Sequence, residues 1–317
     1  MNEIIVSTIT PCFRMKPYLK LFLEELPSQT MFNQLEVVLD HNEPDDEEIA
    51  WVKEFQAKHP GRLKHIIVPK VEPIGTSMNR CIKEASGAFV TIWNVDDLRT
   101  PNSIELQYKA LADNDKYGIS YGDFMTVRKF GSKTGRLMDH HRFPLSEQTR
   151  SMITGPFIMF RKSLCDKAGY FDEQLRQGAD YDLSLRLSFH MPAVCVDGNL
   201  GYYLNEHKGA STRPGSLQPI EKVVIELRHG IFDKIDYRYL APALSYSIDK
   251  IYQFGEAVPV AELIPDYKEL LAKRGRLWID RGIIKYLARK ATKYDAAKNQ
   301  AKKIIVAFFK KIKFERY

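Results

Sequence analysis

Along the first hundred positions apolar residues come in short runs, and most runs lead into a stretch where apolar residues recur every three or four positions. IIVSTI at 4–9 precedes Leu19, Phe22, Leu23 and Leu26; LEVVL at 35–39 precedes EEIAWVKEFQAKH. LKHIIV, ending at Val68, precedes a helical pattern around Met78 to Ala85, and AFVTIW fills 88–93. Strands alternating with helices predict an α/β fold, a mainly parallel sheet covered by helices on both faces. Beyond residue 117, ISYGDFMTV, FIMFR and AVCVDG predict further short strands. Between the first two of these, Lys129 to Arg150 reads as a mobile loop over a site. From about residue 217 the pattern turns helical, which divides the chain into 1–216 and a helical region, 217–317.

In such sheets ligands gather beyond the carboxyl ends of the strands. The loops there read TPCFR, DHNEPDD, PKVEPIG and NVDD, and three of the four are acidic. In TIWNVDDLRTP two adjacent carboxylates, Asp96 and Asp97, end a strand shortly before Pro101. Helix capping explains such a pair on local grounds, with Pro101 suited to a first helical position. Convergence of acidic loops on one sheet edge favours a bound ligand instead. Neither a G-x-G-x-x-G fingerprint after the first strand nor a Walker A sequence is present, which argues against a nicotinamide enzyme and a P-loop ATPase.

The opening VSTITPCFRMKPYLKLFLEELPSQT, then VVLDHNEPDD, IGTSMNRCIKEASGAFVTIWNVDD and GYFDEQLRQGADYDLSLRL, together resemble family 2 glycosyltransferases of the GT-A fold, over roughly residues 3 to 215. The resemblance implies a Rossmann-like α/β domain that transfers a sugar from a nucleotide-sugar donor to a saccharide or lipid-linked saccharide, with inversion, by direct displacement. It places Thr10, Pro11, Asp40, Asn79, Asn94 and Asp96 on the donor. NVDD stands where the family has D-x-D, so Asp96 would hold Mg²⁺ or Mn²⁺, an oxygen-ligated ion that neutralises a leaving diphosphate. Asn94 replaces the first Asp and supplies no charge. Asp180 falls on the family's catalytic base, with Ala179 in place of the usual Glu; a carboxylate there can take the acceptor hydroxyl's proton. Asp182 and Arg186 follow as an expected i,i+4 surface pair. Thr154, Gly155 and Pro156 would shape the acceptor pocket. His207 would bind metal or diphosphate, and Lys208, Ser211 and Thr212 would grip phosphate oxygens. Asn94 and Ala179 keep open the alternative of a catalytically inactive relative that binds sugar or scaffolds polysaccharide assembly.

Composition narrows the picture only slightly: 44% hydrophobic and 27% charged residues over 317 positions describe a globular chain, not a disordered one. No run of about 18 apolar residues occurs, and MNEIIVSTITP lacks the features of a secretory signal, so a cytoplasmic protein is expected. Cys12, Cys81, Cys165 and Cys195 form no CxxC pair and read as reduced, structural residues. The net charge of +7 is a property of one end. From Lys285 onward eleven Lys and Arg face two acids, which leaves −2 for the rest, so no nucleic-acid partner is expected.

Within that end, over about 298–317, Ile304, Ile305, Phe308, Phe309 and Ile312 share one helical face, and Lys303, Lys310 and Lys311 lie opposite. Such a helix either docks on the protein or lies on an anionic membrane. Peripheral attachment to the inner face of the cell membrane is the expectation, in keeping with a lipid-linked acceptor.

Overall fold

The structure, a computed structural model, describes residues 3–140, 142–206 and 215–277. Strands β1 (Val6–Phe13), β2 (Leu35–Asn42), β3 (Leu63–Val68) and β4 (Phe89–Ile92) run parallel in the order β3-β2-β1-β4. Helices α1 (Lys16–Glu25), α2 (Asp46–Lys58) and α3 (Ile74–Glu84) connect them, so the predicted alternation is what folds. Both β1 and β2 outrun their apolar runs. Pro11 is tolerated in β1 because Ile9, of the same parity, gives its carbonyl to Trp93 of the β4 chain; the N–H that Pro11 lacks would point past the end of β4 at Ile92. β1 therefore projects beyond β4, past the point where the chain continues toward Asp96.

After β4 come β5 (Leu98–Arg99), α4 (Ser103–Ala112), β6 (Ile119–Val127), β7 (Arg136–Met138), α5 (Leu145–Gln148) and β8 (Met159–Arg161). They are followed by α6 (Cys165–Ala168), α7 (Ala179–His190), β9 (Ala193–Leu204) and α8 (Gln218–Arg228). The sheet continues β4-β8-β6-β9-β5, with β8 antiparallel to both neighbours and β9 parallel to β6. The 129–150 segment is not one loop: β7 pairs with β6 as a hairpin, and α5 is held by Gln148, whose amide spans Phe143 and Ala193. β9 also runs six residues past AVCVDG, turning at Gly198 (φ +115°), where its register against β6 slips.

Alternate strand residues feed two cores. Val6, Val37 and Leu39 pack with Leu19, Phe22, Val52, Phe55 and Ile104 on one face. Ile9, Val38, Val90 and Ile92 pack with α3, α7 and α8 on the other. α2 starts with a reciprocal cap, Asp45 accepting from Glu48 N (2.9 Å) and Glu48 from Asp45 N (2.9 Å), which assigns Asp45 of the acidic second loop to the helix end.

α7 is enclosed on nearly every side, and the expected Asp182–Arg186 surface pair is in fact fully buried. Arg186 Nε donates to Asp182 Oδ2 at 2.9 Å, and Arg228 of α8 reaches Asp182 (2.9 Å) and Asp172 (2.8 Å). Buried charge persists only where it is paired, and this group is paired throughout. Burial would raise the Asp182 pKa, but Arg228 and Arg186 outweigh it and hold the carboxyl well below its usual range. Val223, Val224 and Ile225 of α8 share one core with α7, and the region predicted as helical also contains the hairpin β10 (Lys250–Gln253) and β11 (Glu256–Pro259). Among the described residues no helix is long and apolar enough to cross a membrane.

Candidate functional site

The expected site lies where β1 and β2 end, and both ends carry non-glycine residues in the left-handed region, Arg14 (φ 55°) and Glu43 (φ 50°). Such conformations cost about 1–3 kcal/mol each and gather where a site needs a particular turn. Between the ends sits the Cys12 thiol, pushed up by burial and by the charges of Glu48, Asp96 and Asp40. One thiol thus senses both carboxylates expected on the donor.

Asp40 itself is closed off. It has no exposed surface; Oδ1 accepts from Asn42 Nδ2 (2.7 Å) and Oδ2 from Arg80 Nη1 (2.5 Å). Burial raises its pKa despite the hydrogen bonds from Ser77 and Arg80. The second guanidinium nitrogen of Arg80 holds Glu72, and Asn42 Oδ1 takes the Glu72 amide (2.9 Å), so the second and third loops are clasped together. In this conformation the surface offered at the expected nucleoside contact belongs to Arg80 and Glu72, not to Asp40. Thr10 likewise has no exposed surface and pairs its hydroxyl with Thr8 (3.1 Å), whereas Pro11 is partly exposed.

Asn79 is placed differently from expectation. Its amide spans Phe171 in both directions, accepting from the backbone N–H (2.8 Å) and donating to the carbonyl (3.0 Å), with Glu173 at 3.1 Å. Fully buried and satisfied, it ties α3 to the loop before α7 rather than facing a ligand.

The paired carboxylates after β4 separate into two roles. Asp97 is buried, accepts the Leu204 amide (2.9 Å) and the Asn94 amide (3.3 Å), and lies opposite Arg99. It therefore pins the loop to β9. It does not cap α4, which begins at Ser103 after Asn102. Asp96 is half-buried, and among the described residues its carboxylate is reached by its own backbone amide alone. Burial raises its pKa, its own amide opposes, and Glu206 adds to the rise. Glu206 in turn receives the Tyr18 hydroxyl of α1 at 3.3 Å. Two neighbouring carboxylates, sheltered and short of donors, suit an oxygen-ligated cation that also takes phosphate and water. Among the described residues no cluster of three or more metal-binding side chains is formed, so substrate and further residues must complete any such shell. His207, Lys208, Ser211 and Thr212 lie outside the described residues, as do Lys303 to Ile312 of the basic end.

Asp180 occupies the first turn of α7, its Oδ1 accepting from Tyr181 N (2.8 Å). Burial raises its pKa; the Tyr181 and Asp180 amides oppose, and Glu221 adds to the rise. Glu221, from α8, is itself buried and accepts the backbone amides of Arg176 (2.9 Å), Gln177 (2.7 Å) and Gly178 (2.8 Å). It thereby fixes the turn that presents Asp180. Thr154 is buried and Pro156 partly exposed; Gly155 (φ +60°) sits where a Cβ would lie 2.8 Å from the Phe124 ring. Any larger residue there would push this segment off β6.

Arg80, Glu72, Glu206, Tyr18 and Glu221 were not singled out by sequence. Arg80 and Glu206 stand beside Asn79 and His207, which is the one local signal available. Glu221 has none, because its partners lie 43 to 45 residues away.

Residues 7–169, just over half of the chain, match the family described as Glycosyl transferase family 2. Chondroitin synthase of Escherichia coli is 25% identical over 202 residues, 61% of this chain and 28% of that one. An uncharacterized glycosyltransferase of Methanocaldococcus jannaschii is 26% identical over 199 residues, 59% of this chain and 65% of that one. The chain thus spans less than a third of the length of the synthase. Residues 1–349 of S. aureus TarS, in a complex with UDP-GlcNAc, align with a TM-score of 0.56 at 17% identity, over 76% of this chain and 72% of that one. That likeness confirms the GT-A architecture.

Proposed function

The chain belongs to glycosyl transferase family 2, and from that premise we propose that it transfers a sugar from a nucleotide-sugar to a saccharide or lipid-linked saccharide acceptor. The observation that carries this reading is Asp96, a half-buried carboxylate in the loop after β4 that, among the described residues, only its own backbone amide reaches. A sheltered carboxylate with so little hydrogen bonding is costly unless a ligand completes it. Asp96, with Glu206 beside it and His207 next in sequence, would hold a divalent cation, Mg²⁺ or Mn²⁺. When bound, such an ion offsets the charge that develops on the leaving diphosphate.

The acceptor hydroxyl attacks the anomeric carbon while Asp180 accepts its proton. The bond from that carbon to the diphosphate oxygen breaks, its electron pair leaves with the nucleotide, and direct displacement inverts the centre. A raised pKa makes Asp180 a stronger base than an exposed aspartate. Thr154, Gly155 and Pro156 shape the acceptor side. Pro11, Asn94 and the Arg80–Glu72 pair line the donor side. The basic face of 298–317 holds the enzyme to the cytoplasmic surface of an anionic membrane.

Calorimetric titration with nucleoside diphosphates and nucleotide-sugars, uridine forms first because the TarS relative holds UDP-GlcNAc, tests the donor site. The expected result is Mn²⁺-dependent binding of one nucleotide, lost in Asp96→Ala. Binding without transfer to any acceptor would favour the inactive relative, and a folded protein that binds no nucleotide would overturn the proposal.

A further inference from the structure

Between Asp123 and Asp139 the chain has no acidic residue, yet it carries Arg128, Lys129, Lys133 and Arg136. All four are exposed at the β6–β7 hairpin, and none forms an ion pair among the described residues. Other surface cations of this chain do find acids, as Lys16 finds Asp45 and Glu47 and Lys58 finds Glu54. Four unmatched cations within nine residues repel one another and attract a multiply charged anion.

Their position says which anion. At the hairpin tip the Phe130 ring meets Tyr18 edge-on at 4.9 Å, and Tyr18 donates to Glu206, whose charge acts on Asp96. At the hairpin base, Phe124 and His140 pack over Gly155, in the segment that shapes the acceptor side. The hairpin therefore spans from the donor carboxylates to the acceptor segment. We infer that it is a docking surface for an acidic acceptor, a saccharide chain bearing repeated carboxylates or phosphates, which it draws across the site. This rests on the glycosyltransferase reading above and adds the chemical class of its acceptor.

The test is binding of fluorescent oligomers to the full chain: hexagalacturonate for carboxylates, a glycerol phosphate oligomer for phosphates, and maltohexaose as the neutral control. At about 50 mM salt one anionic oligomer should bind about tenfold or more tighter than maltohexaose, and lose that margin as salt rises. The R128Q/K129Q/K133Q/R136Q variant should fall to the neutral level while its nucleotide affinity stays within about twofold, since the donor is held elsewhere. Its binding to phosphatidylglycerol vesicles should match that of the unsubstituted protein. No preference for either anionic oligomer, or a preference that survives the substitutions, overturns the inference. An equal loss of nucleotide affinity assigns the cations to the donor and also overturns it, as does a loss confined to vesicles. If the unsubstituted protein binds no nucleotide but keeps its anionic preference, the glycosyltransferase reading fails and the acidic docking surface stands.

Discussion

The Arg80 guanidinium lies 2.5 Å from the carboxylate of Asp40, which has no exposed surface of its own. The contact joins α3 to the end of β2, and Asn42 and Ser77 complete it. Replacing Arg80 by Met strands a buried carboxylate and should cost about 1–3 kcal/mol in urea denaturation. Adding Asp40→Asn should recover part of that loss, because the stranded charge goes with it. A double variant as unstable as the sum of the singles would show that the two residues do not act together.

Asp180→Asn should leave nucleotide binding intact and lower transfer by about 10²–10⁴-fold. In the unsubstituted enzyme the rate should fall as pH drops through the raised Asp180 pKa, where the base becomes protonated. Glu221→Gln removes a nearby negative charge, so the acidic limb of its pH–rate profile should move to lower pH. An unmoved limb in a folded variant would leave Glu221 a purely structural cap.

Arg228→Met should destabilise the fold by about 3–5 kcal/mol, since Asp172 and Asp182 each lose a buried partner. The Asp182 carboxyl is held below its usual range, so its contribution is fully present above about pH 3.9, the unfolded value, and is lost as pH falls toward the folded one. Chemical denaturation between about pH 4 and 2 should therefore show a shallower acid loss in the variant.

On the membrane contact proposed above, replacing Phe308 and Phe309 by Ser should weaken sedimentation with anionic vesicles by about tenfold or more and spare activity on a soluble acceptor. A fall in melting temperature instead would mean that this end of the chain docks on the protein.

The parallel half of the sheet was readable because β1, β2 and β4 are buried on both faces along most of their length and so appear as continuous apolar runs. Asp96 was readable for a related reason: charge at the end of such a run needs an explanation. What escaped depends on distant partners. Asn79 looks like a donor contact until Phe171, 92 residues away, takes its amide. Asp97 looks like a cap until Leu204 claims it. Asp182 and Arg186 have the spacing of a surface pair, and only Arg228 and the packing around α7 turn them inward. Strand β7 and helix α5 span three and four residues, too short for periodicity to register.

The paired charges of α7 and α8 have a mechanical side. Arg228 grips Asp172 and Asp182 from a position beyond residue 217, and Glu221 grips the turn before Asp180. A protease cut near residue 216 would sever the backbone without freeing either piece. The nicked protein should elute as one body and melt in a single transition, its two fragments parting only when the whole fold gives way.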